Sequence, residues 1–461
     1  MAGKYEAPRQ KKGLGRILLL LLLFLAAIAA AAAMGRGNSE PEETMRETFP
    51  AVTQPLPTTL PSVPETTRAT VPATQPPITG TSSATIAAQG DLLMHATIFA
   101  QKYRAECFVG DGSYNFDSVF QYISEYVSSA DYAAANLETT FGGDDFPYQG
   151  NPTFNCPDDL LDDISAAGYD MLLTANNHSY DTLMTGINRT LERVRGGGLD
   201  TLGTRLSDEE PRFVVREING IKVGMVCYTY TMTMSGGKPQ LNDNSPMEKP
   251  EQINYFTTTN LPGFYSEMEE IMAAMEEQGA EATMLFIHWG TEYEITENAT
   301  QQKIAQKMCD LGFDVIVGGH PHVVQPMDLL TSTEDPAHKT VCIYSVGNAV
   351  SNQRRELMRL KTGHTEDGAL FTVTFEKYSD GTVAVRDVNV LPTWVNLFEN
   401  GDGKMEYNIL PLDMEKQEQW KELFGISEKV YSELNNSYNR TMEIVGEGLE
   451  KCREHLPAGD T

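Results

Sequence analysis

Basic residues, histidine and paired cysteines are scarce in this chain, and their scarcity excludes several protein classes. The 461 residues contain 35 Lys and Arg against 64 Asp and Glu, a net charge of −29. Because a strongly acidic surface repels phosphate backbones, we expect no nucleic-acid partner. The six cysteines form no C-x-x-C pair, so no dense disulfide framework is indicated, although a single bridge between Cys107 and Cys156 stays open.

An uninterrupted apolar run occupies residues 17–34 and follows a basic segment at 1–16. At 1.5 Å per helical residue the run is long enough to cross a hydrocarbon core of roughly 30 Å. The charge placement predicts a cytoplasmic N-terminus, a single-pass anchor in the cell membrane and an extracellular globular part. A cleaved signal peptide, with residues 31–33 as its small-residue site, is the alternative.

Composition divides the rest of the chain into three segments. Residues 35–83 are rich in Pro and Thr and cannot bury enough apolar surface to fold, which predicts a disordered stalk. Residues 84–395 alternate apolar strands with helical periods, as a folded domain does. Residues 396–461 are acidic and partly helical in period, which predicts a C-terminal extension.

The domain alternates strand and helix patterns, which indicates an α/β fold. The helical periods fall at 116–129, 157–167, 182–195, 264–278 and 299–311. Apolar strand-like runs fall at 85–88, 131–135, 169–174, 222–229, 282–287, 313–317 and 341–346. A β-hairpin closes the domain, with strands at 369–376 and 382–390 around a Ser-Asp-Gly turn.

Polar side chains follow these buried strands at the points where the strands end. Each could be a turn former, a helix cap or a satisfied core histidine, and singly that interpretation is the simpler one. In α/β folds, however, the carboxyl ends of strands converge on one edge, where ligands bind. The coincidence at five strand ends therefore predicts a metal site formed by Asp91, Glu138, Asn177, His178, His288, His320 and His322.

The ligand types restrict which metals could bind. Carboxylates, one amide and imidazoles without thiolate suit Mn²⁺, Fe, Zn²⁺ or Mg²⁺. Two carboxylates, one amide and three of the imidazoles would give six protein ligands, more than one open catalytic ion needs. Two divalent ions that share a bridging carboxylate are the economical interpretation.

Six ordered strings resemble the CapA family of capsule (poly-γ-glutamate) synthesis proteins, which is related to the calcineurin-like metallophosphoesterases. The strings are GDLLMH, NLETTF, ANNHSYD, HWGTEYE, GGHPHVVQP and YSVGNAVSNQ, and the resemblance covers about residues 85–392. The resemblance implies a four-layer α/β/β/α sandwich of two mixed sheets, with a helical C-terminal extension. It also implies metal ligation by Asp91, Glu138, Asn177, His288, His320 and His322, with Glu138 bridging.

The same resemblance implies that His178 is the general acid and that Asp181 orients it. Two positions depart from the family pattern, because Leu93 stands where a ligating histidine is expected and Asn352 stands in place of an aspartate. His95 could substitute for the missing histidine. Substrate-side roles are expected more weakly for His95, Asn136, Asn348, Arg354 and Arg355, the last two in a basic run that could equally be a solvated helix face.

The resemblance thus implies a surface-anchored protein of capsule polymer synthesis, export or anchoring. A two-metal hydrolase or transferase acting on an anionic polymer or a phosphorylated precursor is the first hypothesis. The second is a non-catalytic, metal-stabilised subunit that binds polymer beside a membrane synthase. The third is a nucleotide-processing ectophosphatase.

Overall fold

Two β-sheets pack face to face in this protein. The computed structural model describes residues 79–231, 233–235, 237–242 and 245–456, without the side chains of 233–235. Both sheets contribute to the apolar core between them, with Ile86 and Phe371 from the first and Met225 and Phe286 from the second. Removal of this apolar surface from water is the main source of the fold's stability.

The strands that the structure describes form two large sheets and two short two-stranded sheets. In chain order they are β1 (Gly80–Leu92), β2 (Phe108–Gly110), β3 (Ser113–Tyr114), β4 (Tyr132–Asn136), β5 (Met171–Leu173), β6 (Asp200–Leu202), β7 (Phe213–Ile218), β8 (Ile221–Thr231), β9 (Thr233–Ser235), β10 (Lys238–Gln240), β11 (Tyr255–Thr257), β12 (Ala282–His288), β13 (Val315–Gly319), β14 (Val324–Thr331), β15 (Lys339–Val346), β16 (Asn348–Val350), β17 (Asp367–Tyr378), β18 (Val383–Glu399) and β19 (Met405–Pro411).

The described helices are α1 (Ala96–Phe99), α2 (Asp117–Phe120), α3 (Ser124–Val127), α4 (Asp159–Ala166), α5 (Leu183–Gly196), α6 (Leu261–Glu277), α7 (Ala299–Asp310), α8 (Trp420–Leu423) and α9 (Glu428–His455). Short 3₁₀ helices occupy Gln101–Tyr103, Pro250–Gln252, His364–Glu366 and Met414–Gln419. Asn298 begins α7 with a capping box, in which its side chain accepts from the main-chain N–H of Gln301.

Both sheets are mixed. The first has the order β19–β18–β17–β1–β4–β5–β6, with β16 beside the end of β1. Its β1, β4, β5 and β6 are parallel, whereas β17, β18 and β19 continue it antiparallel. The second sheet has the order β11–β8–β12–β13–β15–β14, with β7 beside β8. Strands β11, β8, β12, β13 and β15 are parallel, and β14 and β7 are antiparallel additions.

Helices cover the outer face of each sheet. Leu160 and Ile164 of α4 pack on the first sheet, and Met268 of α6 and Ile304 of α7 pack on the second. Helix, sheet, sheet and helix therefore stack in that order, because each sheet must bury both of its apolar faces. The predicted α/β fold, a four-layer α/β/β/α sandwich with a helical C-terminal extension, is confirmed.

The C-terminal helix α9 is built into the sandwich. Val445 and Leu449 enter the core between the sheets, and Gly448 packs so closely on β14 that a Cβ there would lie 1.7 Å from the carbonyl oxygen of Met327. The boundary expected at residue 395 falls within β18, and β19 lies inside the expected extension. At the other end, β1 begins at Gly80, inside the segment expected to be stalk.

One helical prediction was wrong in detail. The pattern at 116–129 forms two short helices, because Ile123 and Tyr126 donate main-chain bonds three residues back, to Phe120 and Ile123. The apolar side chains that the pattern placed on one face are nevertheless buried, because the three-residue turns keep them on the same side of the segment.

No helix in the described part of the chain is long and apolar enough to cross a bilayer. The expected cell-membrane location, with a single-pass anchor and an extracellular domain, is corrected on this finding. Residues 1–16 and 17–34, on which that expectation rests, lie outside the described residues. All six cysteines are buried and free, so Cys107 and Cys156 are not bridged.

Candidate metal centre

The predicted ligands follow parallel strands of both sheets. Asp91 lies in β1 and His288 ends β12, while Glu138, Asn177, His320 and His322 follow their strands within a few residues. Main-chain pairing places Asp91 beside Asn136 and Asn348, which aligns three strand ends. All six predicted ligands are buried. The carboxyl ends of strands from the two sheets thus face a common space.

The Gly-His-Pro-His turn has a strained backbone. His320 has a φ of 95° and His322 a φ of 57°, in the left-handed region that L side chains seldom adopt. Such residues cost about 1–3 kcal/mol each and persist where the surroundings enforce them. Gly318 before the turn has no room for a side chain, because a Cβ would lie 2.0 Å from the carbonyl oxygen of Tyr344. The turn therefore holds both imidazoles in place at a cost in stability.

The first candidate cluster is formed by Glu138, His288 and His320, whose potential ligand atoms lie within 4.8 Å of one another. Nε2 of His288 is 3.2 Å from Nδ1 of His320. It is also 2.8 Å from Oδ1 of Asn177, so the amide oxygen belongs to the same cluster. Two imidazoles, an amide oxygen and a carboxylate are suitable ligands for Zn²⁺, Mn²⁺ or Fe.

The second candidate cluster is formed by Asp91, Glu138 and His322, again within 4.8 Å. Oδ2 of Asp91 lies 3.0 Å from Nδ1 of His322. Asn136 donates from Nδ2 to Oδ1 of Asp91 at 2.7 Å and to Oε2 of Glu138 at 3.3 Å. The position that Leu93 occupies adds no ligand, because the Leu93 side chain is apolar and buried.

Glu138 belongs to both clusters, and one of its oxygens fits a bridging role. Oε1 of Glu138 is buried and has no hydrogen-bond partner among the described residues. It lies 3.5 Å from Nε2 of His288 and 3.8 Å from Nε2 of His322, one imidazole from each cluster. A buried carboxylate oxygen without a partner is costly unless a cation neutralises it. The residues present therefore fit a pair of divalent ions.

Burial sets the protonation of these groups. Desolvation lowers the pKa of His288 to about 3 and holds the pKa of His320 well below its usual value, so both imidazoles are neutral at pH 7, as metal ligation would require. Desolvation, then the charge of Asp91, raises the pKa of Glu138. Burial alone would raise the pKa of Asp91, but its hydrogen bond to His322 and the imidazole charges lower it overall.

His178 and Asp181 form a pair beside the clusters. Nδ1 of His178 lies 2.7 Å from Oδ2 of Asp181, and the main-chain N–H of Phe154 donates to the same oxygen at 2.6 Å. The Phe154 ring packs edge-on against His178, with 4.6 Å between ring centroids. A carboxylate at Nδ1 leaves Nε2 as the nitrogen that can exchange a proton with a substrate.

The residues expected on the substrate side have other partners. Nδ1 of His95 accepts from the main-chain N–H of Asn352 at 3.2 Å, and His95 belongs to neither cluster. Asn136 contacts the ligand carboxylates, and Oδ1 of Asn348 lies 3.1 Å from Nδ1 of His322. These two asparagines therefore support candidate ligands.

Arg354 and Arg355, expected to steer an anionic substrate, are engaged with carboxylates. Glu366 lies 3.5 Å from Arg354 and 2.9 Å from Arg355. Glu433 on α9 lies 3.0 Å from Arg355. The basic run thus ties the segment after β16 to the C-terminal helix.

Three residues that the sequence did not indicate also support the clusters. Asn176 donates from Nδ2 to Oδ1 of Asn136 at 3.0 Å, and the hydroxyl of Tyr230 lies 2.9 Å from Nε2 of His320. Asn242 hydrogen-bonds to Asn177. Asn176 lies in the string ANNHSYD and Tyr230 lies near a strand end, so the sequence pattern could have indicated both. Asn242 lies in a polar loop, where no sequence pattern indicates a role.

A family model described as bacterial capsule synthesis protein PGA_cap matches residues 85–353. The matched range is more than half of the chain and contains every residue of both clusters. The chain belongs to this family. The resemblance stated from the six strings is confirmed, and the protein is a member of a capsule synthesis family.

Two curated relatives support the same family. The "PGA biosynthesis protein CapA" of Bacillus subtilis (strain 168) is 27% identical over 281 residues, which cover 59% of this chain and 65% of the relative. The "Capsule biosynthesis protein CapA" of Bacillus anthracis is 26% identical over 247 residues, which cover 52% of this chain and 55% of the relative. The chain thus matches less than two thirds of the length of either relative.

Among solved structures, TT1561 of Thermus thermophilus aligns with 62% of this chain and 93% of its own. The sequence identity is 9% and the TM-score is 0.30. The fold assignment given above rests on strand order and packing in this chain.

Proposed function

We propose that this capsule synthesis family member is a two-metal hydrolase or transferase that acts on an anionic capsule polymer or its precursor. The observation that carries the proposal is the shared carboxylate of Glu138. Its unpartnered Oε1 lies between an imidazole of each cluster. Divalent ions held there would supply Lewis-acid stabilisation of negative charge and activation of water.

The chain's own residues would divide the work of binding between the clusters. Asn177, His288 and His320 would hold one ion with Glu138, and Asp91 and His322 would hold the other. The ions would be Zn²⁺, Mn²⁺, Fe or Mg²⁺, since the ligand set lacks thiolate.

His178 would move the proton that the leaving group needs. With Nδ1 held by Asp181 at 2.7 Å, Nε2 carries the exchangeable proton toward the substrate. General acid catalysis of this kind contributes typically about 10²–10⁴-fold in rate. Phe154 limits rotation of the imidazole by packing against its edge.

An anionic substrate would need local positive charge at the site. The chain carries a net charge of −29, so a negatively charged polymer needs cations concentrated at the site. Arg354 and Arg355 are paired with Glu366, which leaves the two ions as the cations that could attract it. Poly-γ-glutamate, a carboxylate polymer, and phosphorylated precursors are both anionic and could therefore be attracted by the two ions.

The test compares turnover with metal content in the full chain. Protein loaded with Mn²⁺ or Zn²⁺ is incubated with poly-γ-glutamate, phosphomonoesters, phosphodiesters and nucleotides, and new amines or phosphate are measured. We expect turnover of a polymer or precursor, and a loss of about 100-fold or more for His178→Gln at unchanged metal content. The exposed His455→Gln serves as the matched control.

Two results would overturn the proposal in favour of its rivals. Stable metal binding without turnover of any substrate would indicate a polymer-binding subunit that acts beside a synthase. Turnover restricted to nucleotides would indicate a nucleotide phosphatase.

A further inference from the structure

Asn348 lies next to the second cluster in a position with no exposure to solvent. It begins β16 and pairs with Asp91 in the sheet. Oδ1 of Asn348 is 3.1 Å from Nδ1 of His322. A buried asparagine beside a candidate ligand raises the question of which of its two amide atoms faces the imidazole.

Main-chain carbonyls fix the orientation of this amide. Nδ2 of Asn348 lies 3.2 Å from the carbonyl oxygen of His322 and 3.0 Å from that of Thr365. Carbonyl oxygens only accept hydrogen bonds, so the amide nitrogen has to face them. Oδ1 of Asn348 therefore faces Nδ1 of His322, and this pair forms a hydrogen bond only if Nδ1 carries the proton.

A proton on Nδ1 leaves the lone pair of His322 on Nε2. Nε2 lies 3.8 Å from Oε1 of Glu138, the buried oxygen without a hydrogen-bond partner. Oδ2 of Asp91 also lies 3.0 Å from Nδ1, but Asp91 is itself a candidate ligand. Asn348 is thus the acceptor at Nδ1 that does not itself belong to a candidate metal cluster.

We infer that Asn348 is a positioning residue that sets the tautomer of His322, so that Nε2 is the nitrogen presented to a metal ion. The inference rests on the proposed function in that it takes the second cluster as a metal site. It replaces the substrate-binding role expected for Asn348. Partners of a ligating imidazole typically change metal affinity by about 10–100-fold when they are removed.

The direct test is the tautomer of His322 in the full chain labelled with ¹⁵N-histidine. Two-bond ¹H–¹⁵N spectra are recorded without metal and with Zn²⁺, and the His322 signal is assigned by its loss in His322→Gln. We expect the Nδ1–H tautomer in the metal-free protein and a Zn²⁺-induced shift at Nε2. The Nε2–H tautomer, or coordination through Nδ1, would overturn the inference.

Zn²⁺ affinity, measured by chelator competition, gives a second readout. Asn348→Leu removes the acceptor and should weaken one bound Zn²⁺ by about 10–100-fold. Asn348→Asp keeps an acceptor oxygen and should retain the affinity. Asn396→Leu, at another buried asparagine of the same sheet, is the matched control and should not change it. A folded Asn348→Leu protein with wild-type affinity would contradict the inference.

The two measurements separate this inference from the proposed function. If the protein bound no Zn²⁺, the two-metal proposal would fail, whereas the metal-free spectrum would still report the tautomer. If Asn348→Leu did not fold, the wild-type spectra would decide alone.

Discussion

Asn177 and Asn242 hold each other by two hydrogen bonds across the site. Nδ2 of Asn177 donates to Oδ1 of Asn242 at 3.1 Å, and Nδ2 of Asn242 donates to the carbonyl oxygen of Asn177 at 2.9 Å. Because the carbonyl only accepts, the Asn242 amide has one orientation, which in turn fixes the amide of Asn177. Oδ1 of Asn177 is thereby directed toward Nε2 of His288, at 2.8 Å.

Loss of the two hydrogen bonds between Asn177 and Asn242 should weaken metal binding at the first cluster. Asn242→Leu lets the Asn177 amide rotate, and we expect about 10–100-fold weaker binding of one metal ion. Asn242→Asp keeps the accepting oxygen and should lose less. Chelator competition with Zn²⁺ measures the affinity of both variants. Equal affinities for Asn242→Leu and the wild type would show that Asn242 does not fix the Asn177 amide.

Asp181 should control the proton position on His178. Asp181→Asn removes the carboxylate that accepts the Nδ1 proton and balances the charge of the doubly protonated imidazole, the form that can donate from Nε2. If His178 is the general acid, kcat should fall by about 10²–10⁴-fold with unchanged metal content. A variant that loses metal together with activity would instead indicate a purely structural role, because Asp181 also accepts from Phe154.

The packing of α9 on β14 predicts opposite effects for two neighbouring glycines. A Cβ on Gly448 would lie 1.7 Å from the carbonyl oxygen of Met327, so Gly448→Ala should lower the free energy of unfolding by about 1–3 kcal/mol or more. A Cβ on Gly446 would meet nothing within 4 Å, so Gly446→Ala should raise stability by about 0.4–1 kcal/mol. Denaturant unfolding checks both, and equal effects would contradict the close packing of α9.

His95 should make the protein sensitive to mild acid. Burial lowers its pKa to about 4 from the ordinary 6.5. Below pH 6.5 His95 is protonated in the unfolded chain, whereas in the folded protein it stays neutral down to about pH 4. The free energy of unfolding therefore falls as the pH is lowered from 6.5 to about 4 and is unaffected by His95 above this window. Between pH 7 and 5 this residue should account for a loss of about 1–2 kcal/mol.

His95→Gln, which cannot titrate, should show a correspondingly smaller loss of stability. Urea unfolding of the metal-free wild type and variant at both pH values measures the difference. The same pH dependence in both proteins would show that His95 takes up its proton normally.

The layered fold and the grouping of the candidate ligands were predictable because both depend on local patterns. Apolar runs mark the buried strands, and the polar residue that ends each run, such as His288 or Asp91, is adjacent in sequence to its strand. The convergence of these ends follows from parallel pairing within each sheet. For this reason residues as distant as Asp91 and His322 could be assigned to one site.

The supporting contacts were not predictable, because they depend on partners far apart in sequence. Asn348 was expected to bind substrate, but its amide is held by the carbonyls of His322 and Thr365. In the sequence, Arg354 and Arg355 resemble a basic patch that could steer an anion, whereas in the structure Glu366 neutralises them. Side-chain type is visible in a sequence, whereas the identity of the hydrogen-bond partner is a tertiary property.

The metal content of Glu138→Gln tests the central claim most directly. Full-length wild type, Glu138→Gln and the exposed control Glu270→Gln are incubated with Zn²⁺, freed of excess ion and analysed for metal per chain, with folding checked by circular dichroism. Because Glu138 is common to both clusters, we expect two ions per chain in the wild type and the control, and loss of both in Glu138→Gln. A folded Glu138→Gln protein that keeps two ions would contradict the account.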